Sequence, residues 1–298
     1  MLLRRARRTE TAPATPEPAA PQPEAAPAPA PDPTVVRTAP RTRMMWALAG
    51  SGVELGPGHH PYPLPVPGAT VRYVDRWEPS ENEDLFPELG EDPGFPEPDI
   101  KANFDTDGLS PLADESQDFV IASHVLEHLA DPIGMLAEIE RVLKPGSYAL
   151  VLLPDKRFTF DAPRDVTPLE HLVEEHAAKV TEVSDEHVRE FVTKASVHDV
   201  PADESEWPEV IELHRRRSIH VHCWTETDFP PVLVHAIREL GQRWELADVA
   251  TVAEGGPGSF EFGYLLRRTT SDLGPDVLAE RFEALLHVMA GTTHPAAS

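Results

Sequence analysis

The regular alternation of apolar and polar positions begins near Met44. From there WALAGSGVELGPG (46–58) reads as a short apolar strand running into a glycine-rich turn. ATVRYVD (69–75) follows as an alternating, β-branched strand that ends on Asp75. The acidic stretch between Pro79 and Pro98, broken by prolines, predicts loop with a short helix. DIKANFD (99–105) and DFVIASHVL (118–126) predict a third and a fourth strand. The fourth is an almost unbroken apolar run, as expected of a central parallel strand buried on both faces. In DPIGMLAEIERVLKPG (131–146), Ile133, Leu136, Ile139 and Leu143 share one face at helical spacing. Asp131 caps the start of that helix, and Lys144-Pro145-Gly146 stops it. SYALVLLPD (147–155) predicts a fifth strand.

Residues 162–215 are acidic, histidine-bearing and helical in pattern, which predicts an insertion before the last units of the fold. TETDFPPVLVHAIREL (225–240) then predicts a capped helix with Pro230 and Pro231 in its first turn. WELADVATVA (244–253) and SFEFGYLLRR (259–268) flank a Gly-Gly-Pro-Gly turn, and Phe260, Phe262, Tyr264 and Leu266 alternate, so a hairpin is expected. Strands alternating with helical patterns indicate βαβ units and an α/β, Rossmann-like parallel sheet.

Upstream, residues 1–43 hold ten of the 33 prolines and little to bury, so a disordered spacer is expected. The domain reading is therefore 1–43 tail, 44–161 cofactor-binding half, 162–215 helical lid, 216–270 remaining helix and strands, and 271–298 C-terminal helix and tail. Charge sharpens the picture of partners. Seven arginines in the tail oppose four acids, leaving 19 basic against 47 acidic residues in the body. A body so acidic repels phosphate backbones, which excludes a broad nucleic-acid face. The lone Cys223 rules out an internal disulfide and any cysteine-based metal cluster. The start MLLRRARRTETAP lacks the apolar run of a secretory signal or a membrane span, so no membrane partner and a cytoplasmic location are expected. Oligomeric state is not legible.

Candidate chemistry gathers at the predicted strand ends. Glu54, Gly56 and Gly58 close the first strand, where open α/β sheets bind ligands. Asp75 lies 21 residues beyond Glu54, where an acid accepts hydrogen bonds from both ribose hydroxyls. The acidic turn at 105–107 and the histidine-bearing turn after the fourth strand complete an ordered series.

The run S-x-D-F-V-I-A-S-H-V-L-E-H-L-x-D-P (116–132), followed by E-R-V-L-K-P-G (140–146) and L-L-P-D (152–155), resembles class I S-adenosylmethionine-dependent methyltransferases. It is most similar to the broad type 11 group of small-molecule enzymes, over roughly residues 45–161. The resemblance implies a seven-stranded, mostly parallel sheet with an antiparallel terminal hairpin, and S-adenosyl-L-methionine as cofactor. It also implies that Glu54, Gly56 and Gly58 face the methionine part, Asp75 the ribose, and Asp105 (or Asp107) the adenine amino group. Ser123 and His124 would border cofactor and substrate. One departure is plain: HHPYPLPVPG (59–68), with four prolines, cannot form the family's regular first helix.

The resulting expectation is methyl transfer to the oxygen or nitrogen of a small polar molecule, such as a sugar or secondary metabolite. His128 is the expected base and His124 its neighbour at the catalytic rim. The irregular first crossover keeps a second reading open, a non-catalytic binding or scaffold module. A dinucleotide oxidoreductase is disfavoured because VELGPG lacks the third glycine of that fingerprint. Lys156 and Arg157 read as a solvated strand end with a local ion pair or as a substrate grip. His171 and His176 are five residues apart and splay on a helix. With His220-x-His222 they are read as surface or pocket histidines, and no metal site is assigned.

Overall fold

A computed structural model describes residues 40–64, 66–90, 93–195 and 200–290. Seven strands form one sheet: β1 (Gly50–Leu55), β2 (Ala69–Asp75), β3 (Ile100–Lys101), β4 (Gln117–Ser123), β5 (Leu143–Pro154), β6 (Trp244–Ala250) and β7 (Glu261–Arg268). Their order is β3-β2-β1-β4-β5-β7-β6. All neighbours are parallel except β7, which runs antiparallel to both β5 and β6. The chain leaves β1 toward β2 on one side and reaches β4 on the other. This reversal of strand order opens a crevice beyond the carboxyl ends of β1 and β4. The Rossmann-like class and the terminal hairpin therefore follow the sequence reading.

Eight helices are described: α1 (Pro40–Met45), α2 (Pro79–Leu85), α3 (Pro132–Val142), α4 (Leu169–Ala178), α5 (Asp185–Lys194), α6 (Trp207–Arg217), α7 (Pro230–Arg238) and α8 (Pro275–Ala290). Period-2 geometry divides each strand between two cores. Val120 and Ala122 of β4 join Val53, Leu55, Ile133, Leu136 and Leu233 on the face covered by α3, α7 and α8. Phe119 and Ile121 point the other way, onto Met44, Leu48, Tyr62 and Val66. That second face is covered by α1 and the proline-rich crossover, with no helix among the described residues 56–78. A third cluster, including Val188, Phe191, Trp207 and Ile211, holds α5 and α6 together, while α4 packs its Leu172 into the first core.

Three local expectations change. Helix α1 begins at Pro40, four residues inside the segment read as tail, while residues 1–39 lie outside the described residues. Its anchors are distant: Arg43 pairs with Asp248 at 2.7 Å and Arg41 with Glu261 at 3.0 Å. The helix after β4 ends at Val142, so Leu143 and Lys144-Pro145-Gly146, read as its face and its stop, already belong to β5. The third strand shrinks to two residues, with Asn103 and Asp105 already in the turn beyond it. Asp131 caps α3 as read, accepting the Gly134 N–H at 2.8 Å, and Pro230 and Pro231 open α7.

Candidate functional site

Beyond the carboxyl ends of β1, β2 and β4 lies a cavity of about 930 Å³, at the upper end of small-molecule sites. Gly56, Gly58, Asp75, Asp105, Ser123, His124 and His128 all contribute to its wall. Gly56 and Gly58 have φ of 52° and 55°, a region that side chains rarely adopt. A Cβ on Gly58 would meet nothing within 4 Å, so the turn presents bare backbone to the cavity.

Asp75 ends β2 with its Oδ1 accepting the Arg76 N–H at 2.7 Å. Burial raises its pKa, partly offset by backbone bonds from Trp77 and Arg76. Asp105 is also fixed by backbone, accepting the Ala130 N–H at 2.8 Å, and burial raises its pKa too. Asp107 instead closes its own turn on the Asn103 N–H and does not line the cavity.

Glu54 takes a different place from the other predicted contacts. It is 2% exposed, lies behind the wall, and accepts the Tyr62 N–H at 2.7 Å. Burial lifts its pKa to about 7, against the opposing Tyr62 bond and the Arg41 charge. It pins the proline-rich crossover to the end of β1, a task the missing first helix would otherwise perform.

The turn after β4 carries the densest electrostatics. His124 has a left-handed φ of 56°, a conformation costly for a residue with a side chain and concentrated at functional sites. Its Nε2 lies 3.1 Å from Glu261 and its Nδ1 3.4 Å from the fully buried Glu127. Burial alone would lower the His124 pKa. The two carboxylates overcome that and raise it to about 9, so His124 is cationic at neutral pH and acts as a donor. A group raised from 6.5 to about 9 contributes stability that is full below 6.5 and is lost as pH climbs through 9. Melting temperature should therefore fall between about pH 7 and pH 10. The same scan on His124→Gln should show a clearly shallower fall; equal slopes would show that the pair does not govern it.

His128 has the opposite character. Burial first, and then His220, push its pKa down to about 4, so it is neutral. Its Nδ1 lies 2.8 Å from the Ser218 carbonyl and 2.9 Å from that of Ile219. Nδ1 must therefore carry the proton, which leaves Nε2 as a lone pair.

Several wall groups come from far along the chain, and local patterns gave no sign of them. Arg41 donates to the Ser123 hydroxyl at 2.9 Å while pairing with Glu261, so α1 bars one side of the cavity. Arg76 reaches Ser218 and the Arg216 carbonyl, and Arg217 pairs with Glu88, docking the end of α6 over β2. Lys156 and Arg157 lie outside the cavity: Arg157 forks onto Asp155 at 2.9 and 2.6 Å, and Lys156 bonds the Ala162 carbonyl.

The histidines of the insertion regroup. His176 bonds the capping Asp131 at 2.9 Å, and His220 bonds Asp161 at 2.6 Å. His171 and His222 instead meet Glu175 and His187, the last of which the sequence reading did not single out.

Residues 55–151 match the family model of the methyltransferase domain. A probable S-adenosylmethionine-dependent methyltransferase of Mycolicibacterium smegmatis is 45% identical over 75 residues, which is 24% of this chain and 28% of that relative. The aligned part thus spans little more than a quarter of the relative's length. Among solved structures, a SAM dependent methyltransferase of Aquifex aeolicus is similar at 16% identity, covering 80% of this chain and 94% of its own, with a TM-score of 0.40. The 1,6-didemethyltoxoflavin-N1-methyltransferase of Burkholderia thailandensis, with bound 1,6-didemethyltoxoflavin and S-adenosylhomocysteine, is similar at 13% identity over 80% and 81% of the two chains, with a TM-score of 0.40. No described helix is long and apolar enough to cross a membrane. The matched segment contains the ends of β1, β2 and β4 that wall the cavity.

Proposed function

We propose that the chain transfers a methyl group from S-adenosylmethionine to an oxygen or nitrogen of a small polar molecule. The observation that carries this reading is the convergence of Gly56, Asp75, Asp105, His124 and His128 on one cavity at the strand-order reversal. Bound there, the cofactor supplies a methyl group on a positively charged sulfur.

The residues suit that ligand. The Gly56–Gly58 turn lets backbone approach the amino-acid end closely, and Asp75 offers a carboxylate to the ribose hydroxyls. Asp105, held by Ala130, stands where an adenine amino group can donate to it. Phe104, Val125 and Leu129 supply apolar wall between these points. Glu54 holds the crossover, keeping the turn shaped without a helix.

An in-line displacement needs alignment and exclusion of water more than it needs charge. Arg41 from one side and the end of α6 from the other cover the cavity, so the segment 162–215 serves as a lid that selects the acceptor. His128 accepts a hydrogen bond from the acceptor at Nε2 and takes its proton late, as the new bond makes that proton acidic. Its low pKa keeps it unprotonated across the neutral range. The protonated His124, on the same turn and facing the same Glu127 oxygen, orients the acceptor from beside it.

Calorimetric titration of the full chain with S-adenosylhomocysteine tests the reading, with micromolar binding expected. A folded protein that gives no heat would favour the non-catalytic module, and binding of NADH in its place would overturn both. His128→Gln is expected to reduce turnover at least roughly 100-fold, within the range of general-base contributions. Cofactor affinity should stay within about twofold, because the change leaves the glycine turn and Asp75 untouched. Turnover that survives the change removes His128 from the reaction.

A further inference from the structure

We propose that His171, Glu175, His187 and His222 form a zinc site that fixes the lid to the body of the protein. This site is separate from the cavity and does not rest on the methyl-transfer reading. His171 and Glu175 lie one turn apart on α4, His187 lies on α5, and His222 follows α6 in the extended segment 219–224. One ligand atom from each lies within 4.8 Å of all the others.

The carboxylate distances match an ion in the middle, and the two imidazoles in hydrogen-bond contact would part by about 0.5 Å to take one. Zinc bonds to nitrogen and oxygen of 2.0–2.2 Å in a tetrahedron place neighbouring ligand atoms about 3.3–3.5 Å apart. Here Nε2 of His171 and Nε2 of His187 are 2.9 Å apart. Glu175 Oε1 lies 3.3 Å from the first and 3.5 Å from the second. Glu175 Oε2 lies 3.4 Å from His222 Nε2.

The protein itself leaves this point unsatisfied. His222 is 0% exposed, and neither its Nε2 nor Glu175 Oε2 has a hydrogen-bond partner. A buried polar atom without a partner costs about 1–3 kcal/mol, and a coordinated ion removes that cost for both. Ser184 supplies the outer support that metal-bound imidazoles require, with its hydroxyl 2.9 Å from His187 Nδ1, so that Nε2 is the nitrogen turned inward. A set of three imidazoles and one carboxylate, with no thiolate, suits zinc or cobalt.

Four protein ligands leave no open position, so the site is structural. Its mechanical reach is short and direct. The backbone N–H groups of Val221 and His222 both donate to the Glu127 carbonyl, at 2.7 and 3.0 Å. An ion here therefore ties α4 and α5 to the turn that carries His124 and His128.

The test uses the full chain, stripped with EDTA and titrated with ZnCl2 and with CoCl2 alone. One equivalent of either metal should bind, cobalt should give the intense visible bands of a four-coordinate site, and zinc should raise the melting temperature by 5 °C or more (roughly, for micromolar affinity at saturating metal). His171→Ala, at a half-exposed position where folding survives, should weaken zinc at least 100-fold, as should His187→Ala. His220→Ala is the control, since His220 belongs to a second group with Glu127 and His128. It should bind zinc like the parent. Absence of metal uptake by the parent, uptake unchanged in His171→Ala, or uptake lost in His220→Ala would each overturn the proposal.

Discussion

Asp75→Ala is expected to weaken S-adenosylhomocysteine binding by roughly 100-fold or more, while the protein stays folded. Two hydrogen bonds to a charged group contribute about 1.5–3 kcal/mol each, and 1.4 kcal/mol is a factor of ten in affinity. The carboxylate is well placed for this. It sits at the carboxyl end of β2, in the cavity wall, with the Arg76 and Trp77 N–H groups fixing one oxygen. Those bonds are local to the turn, so their loss leaves the sheet intact. Asp75→Asn, which keeps one acceptor, should fall between parent and alanine. Calorimetry and circular dichroism together decide the matter. Equal affinity in parent and Asp75→Ala would remove Asp75 from ligand binding and leave the ribose contact without a residue.

Gly52→Ala carries the largest expected effect on stability. Gly52 pairs with Phe119 at the centre of the sheet. A Cβ there would overlap the Phe119 carbonyl oxygen and come within 2.5 Å of its ring. A ring in a loose surface setting would rotate away, but Phe119 is fully buried against the second core. The carbonyl is backbone and cannot yield without parting β1 from β4. Overpacking ordinarily costs about 1–3 kcal/mol, and a backbone clash at a central pairing belongs at or above the top of that range. Thermal unfolding should therefore shift down by roughly 6–12 °C. Because β1 and β4 hold Gly56 and His124 on opposite sides of the crevice, ligand affinity should drop with stability. A shift below about 2 °C would show that the pairing tolerates the methyl group.

Much of the frame was legible because its signals are local. The apolar run of β4 and the glycine turn of β1 formed where the pattern placed them, and the capped helix began where read but ended at Val142, ahead of its expected stop. That Gly56, Asp75, Asp105 and Ser123 line one cavity was readable for the same reason: they sit at strand ends, and strand ends meet at the reversal of order. Glu54 was misplaced because strand periodicity says which end of the sheet a side chain occupies, not whether a loop will cover it. The Tyr62 backbone does so.

The second ring of contacts was not legible, and the reason is distance along the chain. Arg41 meets Ser123 across 82 positions and His124 meets Glu261 across 137. No local rule selects such partners. The histidine group failed differently. His171 was weighed against His176, which a helix turns away, whereas the residue one turn on is Glu175. That i,i+4 pair was the available signal. His187 and His222 lie on separate segments and join it only through the packing of α4 against its neighbours.

The span of Arg41 from Ser123 to Glu261 has a consequence for how the entrance is held. A single guanidinium, one residue past Pro40, links the fourth strand to the seventh at the lip of the hollow. Altering residues 40–43 is thus a change to the doorway first and to the foundations second.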